Sequence, residues 1–125
     1  MFKFLLLIIF IGLLATGLHI ALVYFQSNID WWACAFAAFL GCAIVKVRSL
    51  TSFWASFFAI FLVWAGYAYW LDTMSNSILA KKMIDLFHLP SPMALILVTG
   101  LIGGMVGGMA GMTGSFFRKM IFGED

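Results

Sequence analysis

Charge is what this sequence lacks most. Only 10% of its 125 residues are Asp, Glu, Lys or Arg, against 65% apolar residues and a mean hydropathy of +1.11. So little polar surface excludes a water-soluble globule of this size. Seven Lys and Arg against five Asp and Glu leave a net charge of +2, too small and too scattered for a nucleic-acid partner. Cysteine occurs twice, at Cys34 and Cys42. Eight residues on a helix separate them by about 12 Å, which excludes a disulfide between them and leaves both as small packing residues. Catalytic signatures are missing as well. The chain holds no His-Glu-x-x-His, no Gly-x-Ser-x-Gly, no Cys-x-x-Cys, and no carboxylate inside an apolar run away from its ends. A non-enzymatic protein without cofactor or metal is therefore expected.

What is present is apolar length. A hydrocarbon core of roughly 30 Å takes about 20 helical residues to cross, and four stretches meet or approach that length: 2–25, 31–47, 52–71 and 93–117. The expected fold is an all-α integral membrane protein, one domain over residues 1–125, with four transmembrane helices in a compact bundle. The second stretch is the shortest of the four. The first begins like a secretory signal, but its apolar character continues through "LHIALVYF", where a cleaved signal turns polar, so an uncleaved span is expected.

Orientation follows from Lys and Arg. With the N-terminus cytoplasmic, Lys3, Lys46, Arg48, Arg118 and Lys119 lie inside and Lys81 and Lys82 outside, so both termini are expected inside. Tyr24, Trp31, Trp32, Tyr67, Tyr69 and Trp70 then fall at the outer boundary, where amphipathic rings prefer to sit. No Asn-x-Ser/Thr acceptor, lipidation signal or retention signal occurs, and a bacterial inner membrane is the simplest fit. In the connection between the third and fourth spans, Ile78, Leu79, Met83, Leu86 and Phe87 recur at helical spacing. This predicts a short amphipathic helix over 75–88 in the outer interface, capped by Ser75 or Asn76.

Glycine is the other abundance. The run "TGLIGGMVGGMAGMTGS", residues 99–115, holds seven glycines. At 100° per residue, Gly100, Gly104 and Gly108 form one row, and Gly103, Gly107 and Gly111 form the next, continued by Gly114. Met105, Met109 and Met112 lie opposite. A loop has no reason to segregate glycine from bulk at helical period, and the phosphate-loop reading fails because no Gly-Lys-Ser/Thr follows. The segment reads as a helix with a bare face for close helix approach, a glycine zipper. Its partner is open at this level: the second span, whose Ala37 and Gly41 lie on a small row, a copy of the same chain, or another protein.

His19 is the one ionisable side chain well inside a span. Intramembrane ionisable groups mark ion or proton sites by default; a neutral imidazole bonded to a neighbouring helix, with Tyr67 as a candidate, is the alternative. Asp30, Asp72, Asp85 and His88 belong to the same outer side, and of these Asp72 and His88 are the further candidates for a functional polar group. The expected function is a non-catalytic subunit or assembly partner acting through the glycine face, in a homo-oligomer or with other membrane proteins in the lipid bilayer. An oligomeric channel or transporter for an ion or small solute is the alternative.

Overall fold

Backbone polar groups have no water partner in hydrocarbon, so each apolar run closes its own hydrogen bonds as a helix. In the computed structural model, which describes residues 1–25 and 32–123, these runs form α1 (Phe2–Tyr24), α2 (Ala33–Ile44), α3 (Ser49–Met74), α4 (Ile78–Phe87) and α5 (Pro92–Phe122). Trp31 and Asp30 lie outside the described residues. Among those described, α1, α3 and α5 are long and apolar enough to cross a membrane, consistent with an integral membrane protein.

The second expected span is shorter than the sequence suggested. Its helix has 12 residues, about 18 Å at 1.5 Å per residue, well under the thickness of a hydrocarbon core. From Val45 the chain is extended, and it re-enters a helix only at Ser49. The Lys-Val-Arg segment that ends α2 is the polar break between two apolar runs.

Local signals explain the other boundaries. Pro92 opens α5, where its missing N–H costs nothing, and the Ser91 hydroxyl accepts the Ala94 N–H at 3.4 Å. Gly123, in the left-handed region at φ 61°, ends it. The start of α4 differs from expectation: Ser77 precedes the first turn, and its hydroxyl donates to Asp72 Oδ2 at 3.1 Å instead of capping α4. Asn76, Ser77 and His88 all take positive φ, so the turns on both sides of α4 are tight.

Helices α1 and α3 run one way, and α2 and α5 the other. The most extensive pairing is α3 with α5, followed by α2 with α5. Leu7, Ile11 and Ala15 of α1 join Cys34, Ala37, Ala38 and Cys42 of α2 and Ala55, Ala59 and Ile60 of α3 in the core. Most of these side chains are small, so the helices approach closely where no hydrophobic effect drives them together. The Cys42 sulfur lies 3.2 Å from the Ser56 hydroxyl, and the Trp64 indole N–H donates to the Cys34 sulfur at 3.1 Å. Both cysteines are buried thiols.

Candidate functional site

The glycine face of α5 is covered by α3. Gly100, Gly104 and Gly108 meet the rings of Phe61, Phe57 and Phe53, while Gly103, Gly107 and Gly111 meet Trp64, Ile60 and Ser56. Each four-residue step forward along α5 is matched by a four-residue step backward along α3, as antiparallel helices require. A Cβ on Gly103 would stand 2.5 Å from the Trp64 indole, and one on Gly100 would stand 2.9 Å from the Phe61 ring. Gly114 instead sits under the backbone carbonyl of Phe39 in α2.

The second span packs on α5 as well, but of the α5 glycines only Gly114 has α2 as its nearest neighbour. Gly41 turns toward α1, where a Cβ would stand 2.8 Å from Ile11 Cγ1, and Ala37 is fully buried in the core. A 12-residue helix is too short to follow the glycine rows from Gly100 to Gly114, which extend about 21 Å. The α3 residues that meet the glycines repeat at the spacing of the glycine rows. Phe53, Phe57 and Phe61 recur every fourth residue, and so do Ser52, Ser56, Ile60 and Trp64, the same spacing as the two glycine rows.

Beside the Gly100 and Gly103 end of this packing lies a half-enclosed groove of about 810 Å³. Thr16 and His19 of α1, Cys34 of α2, Gly66 and Tyr67 of α3, and Thr99 of α5 reach its wall. His19 meets Tyr67 edge to face, ring centroids 5.3 Å apart and planes at 70°. The polar atoms here are mostly engaged. Thr16 donates to the Gly12 carbonyl at 2.8 Å, Thr99 to the Leu95 carbonyl at 2.9 Å, and Trp64 to Cys34. The wall thus presents rings, methyls and one imidazole. Such a surface suits an apolar helix or chain with a single polar contact.

No protein-family model, curated protein or solved structure matches this chain. The site is read from its own chemistry.

Asp72 and His88 are not among the residues that line the groove with His19. Asp72 is held in the last turn of α3, accepting from Ser77, and His88 ends α4 with an exposed side chain. Among the described residues, no group of three His, Cys, Asp or Glu side chains is placed to hold a metal ion. Two glycines near the groove behave unlike those of α5. A Cβ on Gly12 or Gly66 would meet nothing within 4 Å. Gly66 lines the groove, and Gly12 stands one turn before Thr16 on α1.

Proposed function

We propose that this chain is a small non-catalytic multi-pass membrane protein that acts as a subunit or assembly partner of other membrane proteins. In this reading α2 completes a four-helix bundle, α4 lies along the outer interface as an amphipathic connector, and both termini face the cytoplasm of a bacterial cell. The glycine zipper of α5 builds the scaffold by seating α3, and docking falls to the groove between α1 and α3. One observation carries this. Gly66 lines an unfilled groove and leaves room for a backbone to approach, which is how small residues serve helix association in lipid. The weakly embedded α1 supports it, since only Leu7, Ile11 and Ala15 of its 23 residues are buried. Its outer half offers a flank, Thr16 and His19, that the bundle leaves accessible.

The partner is a transmembrane helix, from another protein or from a second copy. Mild detergent extraction of the tagged full chain from native membranes, followed by native mass spectrometry, tests this. Wild type is expected to carry a stoichiometric partner or dimerise, and Gly66→Leu, which fills the groove, to lose that mass while remaining helical. A monomer for wild type, or an unchanged complex for Gly66→Leu, would overturn the reading. Ion flux in liposomes that vanishes in His19→Ala would replace it with transport.

A further inference from the structure

At the opposite end of the bundle lies a second cavity, of about 730 Å³. Three segments distant in sequence deliver cations to it: Lys3 from α1, Lys46 and Arg48 from the link before α3, and Arg118 and Lys119 from α5. Both described side-chain carboxylates, Asp72 and Asp85, belong to the other end, in the last turn of α3 and in α4. Glu124 and Asp125 lie outside the described residues. Lys3, Arg48 and Lys119 repel one another around this cavity, and an anion among them would relieve that repulsion.

The backbone adds to the same field. Helix α3 begins at Ser49 without a side-chain cap, and Ser49 and Leu50 line the cavity. The first-turn N–H groups of a 26-residue helix carry about half a positive charge. Two of the cations are held in place. Arg118 donates from Nη1 to the carbonyls of Ala43 and Ile44 at 3.2 and 2.8 Å and stacks 5.0 Å over Phe122, and Lys119 lies 5.7 Å over the Phe116 ring. Buried Ser115 completes the wall, its hydroxyl donating to the Val47 carbonyl at 3.2 Å.

We infer that this cavity binds a phosphate group, and that its source is the headgroup of an anionic phospholipid. Lys3 in the first turn of α1, Ser49 and Leu50 in the first turn of α3 and Arg118 and Lys119 near the end of α5 place the cavity at the ends of three helices long and apolar enough to cross a membrane. That arrangement matches a ligand with acyl chains below and a phosphate above. This inference is independent of the groove and of any protein partner.

Native mass spectrometry of the full chain in detergent tests it, with phosphatidylglycerol, phosphatidylcholine and inorganic phosphate as probes. Phosphatidylglycerol is expected to remain bound where phosphatidylcholine dissociates. Lys3→Gln with Arg48→Gln is expected to weaken phosphatidylglycerol by about 25-fold, at about fivefold per cation near an anionic surface. Lys81→Gln with Lys82→Gln, at the other end, should leave it unchanged. Displacement by inorganic phosphate would keep the phosphate site and assign it to a soluble anion. Equal retention of the two lipids, or an unaltered affinity in the Lys3 and Arg48 variant when its circular dichroism matches wild type, would overturn the inference.

Discussion

Replacing Gly107 with alanine adds one methyl group to the centre of the α3–α5 seam. A Cβ there would stand 2.7 Å from Ile60 Cβ and 3.2 Å from the Ser56 carbonyl oxygen, where carbon atoms need about 3.5 Å. Ile60 is 1% exposed and β-branched, so its Cβ is fixed by the backbone and its χ1 has one good well. The side chain has nowhere to swing, and the helices must separate by several tenths of an ångström along the whole seam. Overpacking of this kind costs about 1–3 kcal/mol.

Alanine also brings a gain in helix propensity, about 1 kcal/mol in water, which blurs the measurement at a single site. Gly12 provides the comparison. It lies within a helix as Gly107 does, and a Cβ there meets nothing within 4 Å. The same propensity gain applies at both sites, so the difference between Gly107→Ala and Gly12→Ala isolates the overpacking, about five- to 150-fold in the folding equilibrium. Unfolding in dodecylmaltoside with a rising mole fraction of SDS, followed by far-ultraviolet circular dichroism, reads it directly. Gly107→Ala should unfold at lower SDS than wild type and Gly12→Ala at equal or higher SDS. If Gly107→Ala matched Gly12→Ala, the close approach of α5 to α3 would be refuted.

Two further outcomes are expected. Arg118→Met removes both hydrogen bonds to the last carbonyls of α2, each about 1.5–3 kcal/mol for a charged donor; amide exchange should accelerate in the last turn of α2 and stay unchanged in α4. N-ethylmaleimide should modify Cys34 ahead of Cys42, because Cys34 lines the groove while Cys42 is fully buried; equal rates by mass spectrometry would show the groove wall to be closed.

Element positions were legible because length and composition decide them in an apolar chain. The expected runs 2–25, 52–71 and 93–117 correspond to Phe2–Tyr24, Ser49–Met74 and Pro92–Phe122. The last two extend beyond their apolar limits because residues such as Arg118 and Lys119 continue a helix once it leaves the core of the bilayer. The glycine rows were legible as a bare face, but not their partner. Small residues state that a backbone can come close and leave its identity to shape. Shape here is a matter of matched spacing, phenylalanines every fourth residue on α3 against glycines every fourth residue on α5. His19 was legible as an exception within its span and Tyr67 as its candidate neighbour, but the two meet edge to face as rings, a geometry that periodicity does not encode.

The short α2 connects the fold to the groove. Its Cys42 lies against Ser56 and its Cys34 against Trp64, so eight residues of α2 run beside eight of α3. Helix α2 begins one residue before Cys34, whereas α3 continues ten residues past Trp64 to Met74, about 15 Å further. Over that length Gly66, Tyr67 and Trp70 line the groove. Among the described residues of α2 only Cys34 reaches the groove, so a partner helix seated there would pack on α1 and α3 beside Thr16, His19, Gly66 and Tyr67, close to the backbone at Gly66, where a Cβ would meet nothing within 4 Å.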